Sequence, residues 1–156
     1  MTAPRISSVS ASTRIFMNPR VSPNSFARFT QEVDAGGHTL LGDEPEASGG
    51  SNRGPGPYDY LLTALGTCTS ITLRMYAERK GWALENVEGR LSHGRIHATD
   101  CEDCETKEGV IHEIRSEVRL DGNLDETQRK RLLEIAARCP VHRTLSSEIK
   151  IRTAGV

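Results

Sequence analysis

Cys68 is the residue whose type and surroundings point most directly to chemistry. It lies among small residues in a run over residues 61–75, where apolar side chains recur every three or four positions, the spacing of one helix face. A free cysteine on such a face is often a small core residue. It becomes a nucleophile where its surroundings stabilise the thiolate. Packing is the commoner role for a single cysteine, and a second cysteine favours chemistry.

That second candidate, Cys139, lies where two predicted helices meet. An amphipathic helix is predicted over residues 124–138, and Pro140 ends it at or before Cys139. The same proline suits the first position of a short helix through Leu145. Cys139 would then be the N-cap of that helix, beside unpaired backbone N–H groups and two arginines, which favour a thiolate.

His142 and Arg143 follow Cys139 closely. Either side chain could hold the thiolate of Cys68 or Cys139 through charge and hydrogen bonding. Basic residues near helix ends are also common because they interact favourably with the helix dipole. Both interpretations, support of the thiol pair and a purely structural role at the helix end, stay open here.

The helix that carries the first cysteine has well-marked ends. Glycine and proline at residues 54–57 disfavour a helix before them, and Pro57 suits the first helical position because its missing N–H costs nothing there. Asp59 places a negative charge in the first turn, where the helix dipole favours it. Gly81 is predicted to end the helix, because glycine is common just after the last helical residue. The sequence therefore predicts a helix from Pro57 to about residue 80.

Together, the two cysteine motifs resemble the OsmC/Ohr family of thiol peroxidases. The first is GPGPYDYLLTALGTCT, which ends just after Cys68, and the second is CPVHRTL, which begins at Cys139. The resemblance covers about residues 36–153 and is greatest to the OsmC-like branch often called redox proteins. It implies that Cys68 attacks the peroxide and that Cys139 resolves the product as a disulfide.

The same resemblance implies an α+β fold in which antiparallel sheets pack around a long central helix. The implied assembly is an intertwined homodimer, with two central helices packed between sheets that both chains build and each active site at the subunit interface. A helix so apolar and so rich in small residues agrees with this, because it needs covering on more than one side.

One position departs from the family pattern. Founding members carry a glutamate directly after the proline that opens the central helix, where it pairs with an arginine near the attacking cysteine. Here Tyr58 occupies that position, and Asp59 points about 100° away around the helix. A slower peroxidase is therefore expected. The activating arginine is not assigned, and the candidates are Arg14, Arg20, Arg28 and Arg53.

Periodic patterns predict the remaining elements. Strands are predicted over residues 13–17, 25–33, 38–41, 87–97, 112–120 and 148–152, with a hairpin turn at 34–37. The order β-β-β-α-β-β-α-β predicts the α+β class with mostly antiparallel sheet. Residues 43–57 form a predicted long loop, either a pocket wall or an exposed connector. Residues 1–12 are expected to be a disordered tail, and residues 13–156 a single domain.

Composition narrows the classes of partner. A net charge of −1 and 4% aromatic residues give no reason to expect nucleic acid or an anionic membrane. No apolar run approaches the roughly 20 residues that span a bilayer, and no secretory signal is visible, so a cytoplasmic location is expected. Four cysteines in such a protein favour redox or metal chemistry over a structural disulfide framework.

Cys101 and Cys104 form a C-x-x-C motif in an acidic stretch between two predicted strands. His93, His97 and His112 are near in sequence, so Cys101 and Cys104 could form a Cys2His2 zinc site with two of them, His97 foremost. They could also form a redox pair, although acidic flanks disfavour a reactive thiolate and no helix follows the motif. The third interpretation is a loop feature without chemical function.

The leading hypothesis is a cysteine-based peroxidase that reduces a small apolar hydroperoxide and needs no metal or organic cofactor. A dithiol or lipoyl-type reductant would regenerate its Cys68–Cys139 pair. The alternative is a non-catalytic or weakly catalytic module on the same dimeric fold that binds a small ligand or senses redox state. Tyr58 in place of the carboxylate favours that alternative. A third hypothesis is a zinc-dependent structural protein organised by Cys101 and Cys104.

Overall fold

A computed structural model describes residues 13–17 and 29–155, the first of these segments by its backbone only. The predicted tail at residues 1–12 therefore lies outside the described residues, as do residues 25–28 of the second predicted strand. The chain divides into two compact units, with the boundary after Tyr60. Two antiparallel sheets together with helices confirm the α+β class.

The amino-terminal unit contains a three-stranded antiparallel sheet. Its strands lie in the order β1 (Thr13–Met17), β2 (Gln31–Ala35) and β3 (His38–Gly42). The predicted hairpin turn forms between β2 and β3. Gly36 and Gly37 have φ values of +59° and +83° there, which glycine adopts without steric cost.

Asp43 organises the loop that follows β3. Its side chain is 3% exposed and accepts hydrogen bonds from the Thr30 hydroxyl and from three backbone N–H groups. Those N–H groups belong to Glu44, Ser51 and Arg53, at 2.8, 3.3 and 3.2 Å. Burial raises the pKa of the Asp43 carboxyl, but the hydrogen bonds outweigh it and the pKa is lowered. These hydrogen bonds to the buried Asp43 carboxylate therefore fix the conformation of the predicted loop.

The carboxyl-terminal unit begins within the long helix. The elements that follow β3 are α1 (Pro57–Lys80), β4 (Ala83–His97), β5 (Val110–Asn123), α2 (Glu126–Ala136) and α3 (Pro140–Leu145). The predicted ends of α1 are confirmed, and Gly81 follows it with φ +66°. β4 and β5 form one antiparallel hairpin. No helix in the described ranges is long and apolar enough to cross a membrane.

The core of this unit lies between α1, β5 and α2. Its buried residues are Leu73, Ala77, Leu120, Leu124, Leu132 and Ile135. α1 buries one residue in every four: Leu65, Thr69, Leu73 and Ala77. Ile71 and Met75, which belong to the apolar run over residues 61–75, are 51% and 65% exposed in the single chain. The single chain covers one side of α1, so apolar residues on its other side stay exposed.

β5 runs to Asn123, and α2 begins at Glu126, two residues later than predicted. The reason is a capping box at Asp125. Its carboxylate accepts the Gln128 N–H at 2.8 Å, and the Gln128 side chain accepts the Asp125 N–H at 3.1 Å. Asp125 is therefore the N-cap of α2.

The predicted last strand at residues 148–152 does not form. A strand needs a neighbour for its backbone hydrogen bonds, and in the described part of the chain none pairs with this segment. Ile149 and Ile151, the apolar residues that suggested a strand, are 50% and 87% exposed.

Candidate active site

Two elements of the carboxyl-terminal unit position the candidate thiols. Cys68 lies in the middle of α1 and is half-buried, whereas Cys139 lies between α2 and α3 and is fully buried. Gly66 lets β4 approach α1 just before Cys68, because a Cβ at this glycine would lie only 3.2 Å from Leu91 Cδ1. The two thiols therefore differ in access, and Cys68 is the more accessible one.

Cys139 is the N-cap of α3, as the sequence predicts. Its backbone is extended, with φ −63° and ψ 148°, and Pro140 takes the first helical position. The Cys139 sulfur accepts hydrogen bonds from the His142 N–H at 3.3 Å and from the Thr69 hydroxyl at 3.4 Å. α1 and α3 each supply one donor to this buried sulfur.

The Cys68 and Cys139 thiols lie close enough for the Cys139 thiol to affect the pKa of Cys68. Burial raises the pKa of the Cys68 thiol, and the Cys139 thiol raises it further. The Val141 N–H and the Thr72 hydroxyl lower the pKa of Cys68 but do not outweigh the other two causes. The net shift therefore disfavours the Cys68 thiolate.

Thr72 has one hydroxyl proton for two acceptors near Cys68. It donates to the Cys68 carbonyl oxygen at 2.7 Å, a bond that threonine often forms four residues back in a helix. Donating to the Cys68 sulfur requires the hydroxyl to turn away from that carbonyl. The carbonyl bond therefore limits how far Thr72 stabilises a thiolate.

A cavity of about 210 Å³ adjoins the Cys139 side of the site. Its walls include the apolar side chains of Leu65, Val118 and Leu133. Thr69 and His142, which donate hydrogen bonds to the Cys139 sulfur, also line it. The cavity is smaller than the roughly 300–1,000 Å³ that drug-sized ligands occupy, so it suits a small apolar group.

The amino-terminal unit has an apolar cavity of its own, of about 400 Å³. Phe29, Val33 and Leu40 line it. The loop after β3 contributes Asp43 and Pro55, so this loop does form part of a pocket wall, one of the two roles considered for it.

Asp59 caps the start of α1. Its carboxylate accepts the Gly56 N–H at 2.9 Å, the contact that an acidic side chain makes at the third position of a capping box. Tyr58 is 53% exposed. Both residues lie in the amino-terminal unit, and the capping contact gives Asp59 a structural role.

The described residues do not identify an activating arginine. Arg20, Arg28 and the side chain of Arg14 lie outside them. Arg53 is exposed, and its contact with Asp43 is made by its backbone N–H.

His142 reaches the Cys139 sulfur through its backbone N–H, not through its imidazole. Arg143 donates its N–H to the Cys139 carbonyl oxygen at 3.0 Å, and its side chain is exposed. These contacts support a structural role at the start of α3 for both residues. His142 also lines the cavity, so a supporting role at the thiol pair stays a prediction for its side chain.

Cys101 and Cys104 are joined by a disulfide at the tip of the β4–β5 hairpin, with their Cα atoms 5.5 Å apart. Asp103 belongs to the same cluster, in which the possible ligand atoms all lie within 4.8 Å of one another. The histidines considered as further ligands are not members of the cluster: His93, His97 and His112. His93 and His112 instead pair with each other, Nε2 to Nδ1 at 2.8 Å.

Sequence reasoning missed Thr69, Thr72 and Asp43. The available signal for Thr69 is its place four residues after Leu65, on the face of α1 that is buried in this chain. Thr72 is four residues after Cys68, within reach of that residue's carbonyl. For Asp43, the signal is a carboxylate at the start of a loop rich in glycine, whose backbone N–H groups need acceptors.

A family model of OsmC-like proteins matches residues 49–154, a span that contains both Cys68 and Cys139. A comparison with curated protein sequences finds no significant match.

Several solved structures share the fold. An OsmC-like protein from Mycoplasma pneumoniae is 19% identical over 89% of each chain, with a TM-score of 0.65. The organic hydroperoxide resistance protein OsmC from Legionella pneumophila is 13% identical over 90% of this chain and 91% of that one, with a TM-score of 0.62. The organic hydroperoxide resistance protein OhrB of Bacillus subtilis is 16% identical over 88% and 90%, with a TM-score of 0.54. At these identities the likeness establishes the fold.

Proposed function

The chain belongs to the OsmC-like protein family, and from this premise we propose that it is a thiol-dependent peroxidase that reduces organic hydroperoxides. The observation that carries the proposal is the proximity of the Cys68 and Cys139 thiols at the start of α3, where the Cys139 thiol raises the pKa of Cys68. Two proteins with the same fold, from Legionella pneumophila and Bacillus subtilis, are organic hydroperoxide resistance proteins, which supports the assignment.

Access favours Cys68 as the nucleophile, because Cys139 is fully buried. The Cys68 thiolate attacks one peroxide oxygen, so that an S–O bond forms and the O–O bond breaks. The alkoxide takes a proton and leaves as the alcohol, and Cys68 becomes a sulfenic acid. The Val141 N–H offsets part of the cost of a buried negative charge on Cys68.

Cys139 then resolves the sulfenic acid. Its sulfur attacks the Cys68 sulfur, a disulfide forms, and the displaced hydroxide leaves as water with the proton of the Cys139 thiol. A dithiol or lipoyl-type reductant restores both thiols by two exchange steps and becomes a disulfide itself. This scheme uses no metal ion and no organic cofactor.

The cavity beside Cys139 supports an apolar substrate. Leu65, Val118 and Leu133 offer an alkyl or aryl group a surface that hydrogen peroxide cannot use. With about 210 Å³ available, we expect small organic hydroperoxides to be better substrates than long-chain ones.

The proposed assembly is an intertwined homodimer. The outer side of α1 supports it, since Ile71 and Met75 are 51% and 65% exposed there. The carboxyl-terminal segment supports it as well, because Ile149 and Ile151 alternate as in a strand but have no strand beside them in the described part of the chain. A second copy would cover both apolar surfaces.

The test is a steady-state assay of dithiol consumption with cumene hydroperoxide. Wild-type protein should turn over, and Cys68→Ser should abolish turnover, because a hydroxyl is a far poorer nucleophile than a thiolate. The double variant C101S/C104S is the matched control and should retain activity. If the wild type consumes no organic hydroperoxide even at about pH 8.5, where more of the thiol is ionised, the peroxidase proposal fails.

A small-ligand binding module is the second candidate. The apolar cavity of about 400 Å³ in the amino-terminal unit favours it, because its volume suits a larger ligand than a small hydroperoxide. Saturable binding of an apolar fluorescent probe without hydroperoxide turnover would support this function over catalysis.

A further inference from the structure

The tip of the β4–β5 hairpin carries a second cysteine pair, which the peroxidase scheme does not use. The Cys101–Cys104 disulfide is half-buried, and the Asp103 Oδ1 atom lies 3.3 Å from the Cys101 sulfur. We propose that this tip is a redox-gated site for a thiophilic divalent cation such as Zn²⁺. In the reduced protein, the Cys101 and Cys104 thiolates and the Asp103 carboxylate bind the ion.

The three ligand groups already converge. Their sulfur and oxygen atoms lie within 4.8 Å of one another, and all three come from four consecutive residues. Zinc takes thiolate and carboxylate ligands in a tetrahedral arrangement, with its ligand atoms at about 2.0–2.3 Å from the metal. Small side-chain rotations of Cys101, Asp103 and Cys104 bring the atoms around one ion and leave a fourth position for water.

The backbone of the tip is held by hydrogen bonds that do not involve the sulfur atoms or the Asp103 carboxylate. The Ala98 N–H donates to the Gly109 carbonyl oxygen at 2.9 Å and closes the loop. The Lys107 ammonium donates to the Cys104 carbonyl oxygen at 2.6 Å. Ala98 is 1% exposed and anchors the loop at its start. Reduction of the disulfide therefore leaves a loop that still presents both sulfurs on the same side.

The charge of the tip favours a cation. Lys107 is the one basic residue in residues 98–109. The acidic residues of the same segment are Asp100, Glu102, Asp103, Glu105 and Glu108. Their negative potential attracts divalent cations, and the two soft thiolates then select a thiophilic metal over Mg²⁺ or Ca²⁺.

The surroundings of the pair favour a metal site over a dithiol catalyst. Redox C-x-x-C pairs depend on a cationic or helix N-terminal environment to activate a thiolate. Here Cys101 follows a short 3-10 turn at Ala98–Asp100, and Cys104 leads through an irregular loop into β5. The Asp103 carboxylate lies 3.3 Å from the Cys101 sulfur, and an adjacent carboxylate suits a bound cation.

The gating follows from the chemistry of the pair. A dithiol reductant gives two electrons and two protons to the disulfide, and the ion then displaces those two protons from the thiols. A hydroperoxide reverses the step: two thiolates and two protons become a disulfide, an alcohol and water, and the ion is released. The inference does not depend on the peroxidase proposal, because it uses neither Cys68 nor Cys139.

The test is a Cd²⁺ titration of the full chain, read from the ultraviolet charge-transfer band of cadmium–thiolate bonds. Reduced wild type should bind one equivalent more than reduced C101S/C104S, and the oxidised protein should lack that equivalent. Asp103→Asn should weaken binding at least about tenfold, as loss of a metal-site contact commonly does. Glu102→Gln is the matched control, since it removes the same charge between the same cysteines, and it should change binding less than about threefold.

Two results would overturn the proposal. One is an equal number of thiolate-bound equivalents in reduced wild type and reduced C101S/C104S. The other is an equal loss of affinity in Glu102→Gln and Asp103→Asn, which would mean that charge alone attracts the ion. Alkylation mapping of unmodified wild type gives an independent reading: Zn²⁺ should protect Cys101 and Cys104 in the reduced protein, and unprotected alkylation of both would contradict the site.

Discussion

The Thr69 hydroxyl donates a hydrogen bond to the buried Cys139 sulfur at 3.4 Å, although Thr69 directly follows Cys68 in the chain. One turn of α1 therefore carries the accessible thiol together with a donor to the buried one. Because Thr69 is 7% exposed, water does not readily replace its hydroxyl if it is removed. This contact allows the resolving step to be altered without touching either cysteine.

Thr69→Val keeps the side-chain volume and removes that donor. We expect the Cys68–Cys139 disulfide to form roughly fivefold more slowly after a stoichiometric pulse of hydroperoxide, the equivalent of about 1 kcal/mol for one hydrogen bond. Rapid-quench mass spectrometry measures the rate. Thr67→Val, at an exposed position of the same helix, is the control. An unchanged rate in Thr69→Val would show that the contact does not assist resolution.

The pH dependence of Cys68 reactivity is the second prediction. Because burial and the Cys139 thiol both raise the pKa of Cys68, alkylation of wild-type Cys68 should still be accelerating above about pH 8.5, the ordinary cysteine value. Cys139→Ser removes one of the two causes and should shift the profile to lower pH. The profile, read at the Cys68 peptide by mass spectrometry, should be the same in C101S/C104S as in wild type. A wild-type midpoint below that of an ordinary cysteine would contradict the site geometry.

Asp43→Asn should destabilise the protein through the loop after β3. The variant leaves buried N–H donors without their carboxylate, and we expect a loss of about 1–3 kcal/mol in the free energy of unfolding at pH 7. The pKa of Asp43 is lowered in the folded state, so its stabilising contribution is present above the unfolded pKa of about 3.9 and is lost as the pH falls through the folded value. The difference between wild type and variant should therefore shrink in acid.

Urea unfolding at pH 7 and at about pH 3 measures this difference. Glu44→Gln is the control, because it changes the neighbouring carboxylate and leaves the four donors to Asp43 in place. A difference between wild type and Asp43→Asn that grows in acid would have the wrong sign for a lowered pKa.

In the proposed homodimer the outer side of α1 lies at the subunit interface, so substitutions there should prevent dimerisation. Ile71→Glu combined with Met75→Glu should convert a species of twice the chain mass into monomer in light scattering, because two charges would have to be buried at the interface. Lys80→Glu, an exposed change near the end of the same helix, should leave the mass unchanged. A wild type that is monomeric at all concentrations would remove the basis for a shared interface.

Local signals in the sequence were sufficient to predict the helices that carry Cys68 and Cys139. Pro57 and Gly81 mark the ends of α1, and Pro140 makes Cys139 the N-cap of α3, because proline restricts the backbone on both sides of itself. These features depend on neighbours in sequence, so no tertiary information was needed.

Features that depend on distant contacts were not predictable in the same way. Apolar residues lie on more than one side of α1, and the pattern did not show that Leu73 and Ala77 face the chain's own core while Ile71 and Met75 do not. Residues 148–152 have the alternation of a strand, but alternation does not supply a pairing partner. The hydrogen bond from Thr69 to Cys139 joins residues 70 positions apart, and only the packing of α1 against the α2–α3 junction creates it.

The central claim is that Cys68 and Cys139 act as one redox pair, and peptide mapping under non-reducing conditions tests it most directly. Fully reduced protein is treated with one equivalent of cumene hydroperoxide, digested and analysed by mass spectrometry. We predict a disulfide-linked pair of peptides containing Cys68 and Cys139, and in Cys139→Ser a Cys68 sulfenic acid that a dimedone-type probe labels. Consumption of the hydroperoxide with both Cys68 and Cys139 recovered as free thiols would contradict the account.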